Sequence, residues 1–368
     1  MLLTSEQKCL LWLSNGEIAA RRAQELMAVY GGAQGVWDAF GKREGPRFLA
    51  GAQEILSRLH SVDAIDGLCE KLTQKNVHLL FQDDEAYPEL LSAIPDPPYL
   101  LYYAGKLECL ARTCVAVVGT RLSSSYGDEM AHMLATGLSE AGVCVVSGLA
   151  RGIDAAAHKA VLDAGGRTIG VLGSGINVPY PPEHTAMLRK IAGGIGLILS
   201  EYPLDAEPKS FHFPYRNRII SGLSVGVIFV EGKVKSGGMH TVSSALEQGR
   251  EVFAVPGRVG TAYSVGPHTI LREGARIATS ARDVLDDLGI NEETPEACAP
   301  QQVSERCGPC QRKILDALRV EPLGIAELAL QTAESTDTLL VELGLLEIMG
   351  KVNREAGNRF ALPLLPHP

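Results

Sequence analysis

The chain has 368 residues, 46% of them hydrophobic, which is enough to bury more than one core and excludes a disordered polypeptide. The formal net charge of −9 excludes a protein that binds polyanions over its whole surface, yet leaves a local basic crevice open, because the field at a site is set by nearby charges. No apolar run approaches about eighteen residues, and the start MLLTSEQKCLLWL lacks a cationic lead-in and a small-residue cleavage site, so a cytosolic chain without membrane contact is expected.

Residues 1–75 alternate short helical patterns with glycine breaks, as in GEIAARRAQELMAVYGG and VWDAFGKREGPRF, and predict a small helical module. Its two readings are a packing domain and a degenerate helix-hairpin-helix (or SAM-like) module that grips phosphates. Ser14-Asn15-Gly16-Glu17 offers one glycine and sets a carboxylate where a phosphate would dock, which favours packing. Tyr87-Pro88 and Ile94-Pro95-Asp96-Pro97-Pro98 mark an extended connection, since each proline restricts the residue before it. YLLYYAG then adds a strand leading into the core.

The pattern over Thr113–Ile153 is strand, glycine loop, helix, strand, glycine loop. Val115–Val118 ends at Gly119-Thr120-Arg121, a helix runs to Glu140, and Val143–Val146 ends at Ser147-Gly148. That is a βαβ unit, whose two loops face one crevice beyond the carboxyl ends of the strands. Further strands are predicted at Thr168–Leu172, Leu197–Ser200, Val225–Val230 and Val252–Val255, with a weaker one at Arg276–Ala278, and the helix ARDVLDDLG closes the domain. The fold class is therefore α/β, a Rossmann-like, doubly wound parallel sheet over residues 80–290. Residues 291–306 read as a linker. Residues 307–368, three helices and a hairpin, outline a winged helix whose recognition helix, Ser335–Met349, carries Asp337, Glu342 and Glu347 and no Lys or Arg. Duplex readers place cations there, so a protein-interaction or regulatory role is expected instead.

The eight cysteines lie mostly inside apolar segments and are expected to be reduced core residues. Only Cys307-Gly-Pro-Cys310 has ligand spacing, and no second pair lies near it, so neither a metal nor a cofactor is predicted.

Gly119, Thr120 and Arg121 offer backbone N–H groups, a hydroxyl and a guanidinium at a helix start, a phosphate-binding arrangement without the spacing of a dinucleotide fingerprint. Where a ribose-binding acid would stand, the chain has Ser147, Gly148 and Arg151, which suits a second phosphate. A tight turn with a solvated arginine is the alternative. Asp154 and His158 are spaced as a base and its orienter, or equally as a helix-capping aspartate followed by a packed histidine. The densest polar cluster, Lys209 to Arg218 (KSFHFPYRNR), interleaves two arginines and a lysine with three aromatic rings. Cations that track a backbone beside rings that stack on bases are what a single-stranded nucleic-acid site requires. The alternative is that Phe211 and Phe213 are core and the arginines form salt bridges. Ser236, Gly237 and Thr241, in SGGMHT, form another glycine-rich loop at a helix start. It resembles the loop of Lonely Guy type nucleotide phosphoribohydrolases, but Ser244 stands where that family has its catalytic glutamate. Such a sheet can bind phosphate without the hydrolysis.

Taken together, the chain resembles the DNA-processing protein A (DprA/Smf) family. The resemblance rests on Gly119–Arg121 followed by Ser125-Tyr126-Gly127, on SGLARGIDAAAH at 147–158, Tyr180-Pro181 and SEYP at 200–203, and on FPYRNRIISGLS at 213–224, SGGMHT at 236–241 and GREVFAVPG at 249–257. It implies a non-catalytic homodimer that binds and protects single-stranded DNA during natural transformation and loads the RecA recombinase on it. In that reading Arg121, Arg151 and Lys209 meet phosphates, Phe213 stacks on a base, and Arg216, Asn217 and Arg218 shape or line the pocket. Gly266–Leu271, with His268, Ile270 and Leu271, resembles the family's dimer and RecA face. Phe211-His212 is an insertion ahead of Phe213, which leaves Phe211 and Phe213 both open as the stacking ring.

Overall fold

The computed structural model describes residues 3–42, 45–290, 308–318, 322–349, 351–355 and 359–362. The chain divides into two compact units, Met1–Glu293 and Thr294–Pro368. The residues expected to link them fall outside the described ones.

The first unit begins with five helices, α1 (Ser5–Ser14), α2 (Ala20–Tyr30), α3 (Ala33–Gly41), α4 (Ala50–Arg58) and α5 (Val62–Gln74). Helix α1 starts in a capping box. The Thr4 hydroxyl accepts the Gln7 N–H while the Gln7 side chain accepts the Thr4 N–H, which satisfies two otherwise orphaned donors. Trp12 is fully buried among these helices and donates its indole N–H to the Leu56 carbonyl at 2.9 Å. The helices share one core with the sheet. Leu11, Leu13 and Leu26 belong to the same buried cluster as Leu100, Tyr102, Leu188 and Ile198.

The sheet follows: β1 (His78–Phe81), short helix α6 (Glu89–Ser92), β2 (Leu100–Gly105), β3 (Cys114–Val118), α7 (Ser125–Glu140), β4 (Cys144–Ser147), α8 (Ile153–Asp163), β5 (Thr168–Leu172), α9 (Thr185–Gly193), β6 (Leu197–Ser200), α10 (His212–Gly222), β7 (Gly226–Phe229), α11 (Gly237–Glu247), β8 (Glu251–Ala254), α12 (Val265–Arg272), β9 (Arg276–Ile277) and α13 (Ala281–Leu288). The strand order is β1-β2-β6-β5-β4-β3-β7-β8-β9. Strands β6 through β9 of that order are parallel, whereas β1 and β2 pair antiparallel at one edge, so the sheet is mixed. Strand β1, an edge strand that opens on His78, has no counterpart among the strands read from sequence.

Side chains alternate across each strand, so one run of apolar residues feeds two layers. Val115 and Val117 of β3 pack with Leu134 and Leu138 of α7 and Ala157 and Val161 of α8. Their neighbours Ala116 and Val118 pack with Ile219 and Ile220 of α10 and Val242 of α11. After β3 the chain winds one way through β4, β5 and β6, then returns to place β7 against β3. That reversal puts the topological switch point between β3 and β7, where open α/β sheets hold their ligands.

The second unit holds α14 (Pro309–Ala317), β10 (Leu323–Gly324), α15 (Ile325–Thr332), α16 (Thr336–Ile348), β11 (Asn353–Glu355) and β12 (Arg359–Ala361), with strand order β10-β12-β11. Ile314, Leu328, Leu339, Leu343, Leu346 and Phe360 form its core. The open side of α16 presents Leu340, Val341, Leu345 and Met349 with Asp337 and Glu347, a face without a cation. No helix among the described residues is long and apolar enough to cross a membrane.

Candidate functional site

Loops from five neighbouring strands, β6, β5, β4, β3 and β7, converge on an open crevice of about 470 Å³ at their carboxyl ends. Gly119 ends β3 there because nothing larger fits: a Cβ would come within 2.6 Å of Ile153 and 2.8 Å of the Glu231 carbonyl. The loop is tied down through the Thr120 N–H, which donates to Glu231, and the Thr120 carbonyl, which accepts from Ile153. Arg121 projects from it, its guanidinium 5.1 Å from the centre of the Phe213 ring and with no carboxylate partner among the described residues. The start of α7, which the sequence offers as a phosphate site, is already occupied. The Glu231 carboxylate accepts from the Ser124 N–H at 3.0 Å and the Ser124 hydroxyl at 2.6 Å.

Helix α11 is different. Its N-cap Ser236 makes no side-chain capping bond, and Gly237, Gly238, His240 and Thr241 line the crevice, so the first turn of the helix borders the opening. Gly238 permits this closeness, since a Cβ would lie 3.1 Å from the Gly119 Cα. Asn217 fixes the turn by donating to the Gly237 carbonyl at 3.1 Å.

Phe213 lies on a glycine floor, where a Cβ on Gly173 would approach its ring within 2.8 Å. The Tyr180 ring stands 5.2 Å away at 43°. Phe211 is outside the crevice, 66% exposed and edge-on to His212. A partly exposed ring with a cation and a second aromatic beside it can accept a flat, unpaired base. In sequence Tyr180 shows only as part of a Tyr-Pro pair, with no signal that ties it to the site.

Beneath this surface lies Arg216, 3% exposed. It donates to the carbonyls of Gly148 and Val171, so it braces the loop after β4 against the end of β5. Burial pulls its pKa down to about 10, against the support of Asp154, and it stays charged at neutral pH. Asp154 accepts the N–H groups of Gly148 and Ala150 at 3.1 and 3.4 Å, and burial raises its pKa against Arg216 and those bonds. His158 points elsewhere, bonding Thr168 at 2.8 Å, with its pKa lowered to about 3 by burial. The pair is therefore no base and orienter. Asp154 braces a loop from the second residue of α8, and His158 is a neutral core histidine.

Other singled-out residues are engaged in structure. Arg218 makes a two-pronged bond to Glu201 at 2.6 and 2.8 Å, reaches Asp96, and stacks 4.0 Å over Tyr215. Ser147 is fully buried and donates to the Val117 carbonyl at 2.6 Å. Arg151 is paired with Glu183, and Lys209 with Glu17. His268 contacts the Gly257 carbonyl at 3.0 Å, Ile270 is buried, and Leu271 packs half-buried against the core.

The family model described as DNA recombination-mediator protein A matches residues 78–289, more than half of the chain. The chain belongs to this family. A second model, the DprA winged helix domain, matches residues 295–358. Among DprA relatives, DNA processing protein DprA of Streptococcus pneumoniae is 47% identical over 205 residues, which cover 56% of this chain and 72% of that protein. Protein Smf of Escherichia coli is 45% identical over 217 residues, covering 59% of this chain but only 58% of its own length. The X-ray structure of DprA from Streptococcus pneumoniae superposes with a TM-score of 0.61 at 34% identity, covering 78% of this chain and 99% of that one. DprA from Helicobacter pylori, whose structure is described for its single-stranded DNA binding mode, gives a TM-score of 0.53 at 30% identity over 58% of this chain and 95% of its own. The DprA family model spans every strand of the sheet and all five loops of the crevice.

Proposed function

We propose that the protein binds single-stranded DNA across this crevice, as a non-catalytic homodimer that protects the strand during natural transformation and hands it to the RecA recombinase. The observation that carries the reading is Phe213, with Arg121 and Tyr180 both beside its ring and the start of α11, which has no side-chain cap, lining the same crevice. A base stacks on Phe213 while phosphates meet Arg121 and the N–H groups at Gly237 and Gly238, with Thr120 and Thr241 as hydroxyl donors. Arg216, Asn217 and Arg218 act underneath by holding the loops. The α12 side is the dimer and RecA face, offered by His268 and Leu271 rather than by buried Ile270.

A nucleotide hydrolase on the same sheet has less to work with. Ser244 replaces the glutamate such an enzyme needs, and Asp154, the carboxylate among the crevice-lining residues, is spent on backbone N–H groups.

The test is fluorescence anisotropy with a short oligothymidine and an equal-length duplex across a salt series. A single-strand preference is expected, and Arg121→Ala should weaken binding and flatten the salt slope by about 0.7, the share of one phosphate. Duplex preference, or an unchanged affinity and slope in Arg121→Ala, would overturn the reading.

A further inference from the structure

One residue of the helical module that lies beside the rim of the crevice is Glu17. It follows α1 with φ at 50°, a left-handed conformation that side-chain-bearing residues adopt at a cost. Its carboxylate lies 2.5 Å from Lys209 Nζ and 3.3 Å from His212 Nε2. Lys209 and His212 flank Pro208, Ser210 and Phe213, which line the crevice. Burial opposes the charge on Glu17, but the His212 ring beside it and the hydrogen-bonded Lys209 ammonium outweigh it and hold its pKa below the ordinary value. The module is anchored beside this ion pair: the Ala20 N–H donates to the Tyr215 hydroxyl, which donates to Asp96 at 2.7 Å.

A strained backbone that delivers a carboxylate onto a lysine at the edge of a cationic crevice has the chemistry of a phosphate placeholder. We propose that Glu17 is an internal counter-ion that occupies Lys209 in the free protein and is displaced by a phosphate of the bound strand, so that the helical module limits how tightly the crevice holds DNA. This rests on the strand-binding reading of the crevice. Lys209 is thereby a conditional phosphate ligand, available only after its pair opens. Because both partners are partly exposed, the pair is weak enough to exchange with a phosphate.

The experiment is a double-mutant cycle read by oligothymidine anisotropy across a salt series, with Glu17→Gln, Lys209→Met and their combination in the full chain, and Arg121→Ala alongside. Gln keeps the shape of the side chain and removes its charge. Glu17→Gln alone should tighten binding by about two- to fivefold and steepen the salt slope by about 0.7, since one more cation then stands unneutralised. In the Lys209→Met background the same substitution should change neither quantity. A gain that persists without Lys209 would mean only a long-range loss of negative charge, and no gain in either background would mean a purely structural ion pair; both overturn the placeholder while Arg121→Ala still weakens binding. If Arg121→Ala has no effect, the crevice reading fails and the placeholder with it.

Discussion

Replacing Arg216 with methionine should destabilise the folded protein. Arg216→Met keeps most of the side-chain volume, but strips the Gly148 and Val171 carbonyls of this donor and removes the positive charge whose field supports the Asp154 carboxylate, 7% exposed. Two buried carbonyls that lose a charged donor, together with a buried carboxylate that loses its supporting field, cost roughly 3–5 kcal/mol in all. At roughly 2–4 °C per kcal/mol for a unit of this size, thermal unfolding should fall by roughly 6–20 °C at pH 7. The pH dependence carries a sign. Burial raises the pKa of folded Asp154 above its ordinary 3.8, so the stability it contributes is present below that value and is lost as pH rises through the raised pKa. Removing Arg216 raises it further, so the deficit should be smaller at pH 4.5 than at pH 7, and adding Asp154→Asn should recover part of it. Calorimetry at both pH values is the assay. A deficit under about 1 kcal/mol at pH 7, or one equal at both pH values, would refute the reasoning.

Two further outcomes separate close alternatives. Phe213→Ala should cost about 1–3 kcal/mol of oligonucleotide binding by anisotropy, the usual value of one stacked base, whereas Phe211→Ala should leave binding within a factor of about two. Equal losses would move the stacking ring out of the crevice. His158→Leu should flatten the acid side of the stability profile. Its folded pKa is depressed from 6.5 to about 3, so wild-type stability is full above 6.5 and is lost as pH falls through that window. Thr168 keeps a partner in the variant through its bond to the Val145 carbonyl. Denaturant midpoints measured from pH 7 to 3 should therefore fall less steeply in the variant, and parallel curves would contradict a neutral, buried histidine.

Much of the sheet was legible because its strands are short and apolar and several are closed by glycine. Thr168–Leu172 and Leu197–Ser200 appear in the structure with the limits read from sequence. What the strings could not carry was partnership. The start of α7 reads as a phosphate site until Glu231, more than a hundred residues later, is found capping it. Lys209 and Arg151 read as free cations, and only the fold brings Glu17 and Glu183 onto them. The cluster from Lys209 to Arg218 looks like one patch in sequence, yet the helix turns it so that Phe213 faces the crevice, Arg216 the core beneath, and Arg218 a separate acidic pair. Asp154 and His158, four residues apart, likewise divide between a loop and the core.

The crevice is also a ruler. Adjacent strands stand about 4.8 Å apart, so loops from five neighbours in a row span about 19 Å from the first strand to the last. A nucleic acid laid across them runs at right angles to the strands and meets the protein for a few nucleotides before it leaves over the rim. Affinity should then rise with oligonucleotide length only until that distance is filled, and level off. Any second rise at greater length would report a second crevice on the same strand, where the gain is governed by the tether between the two sites and not by any change within either one.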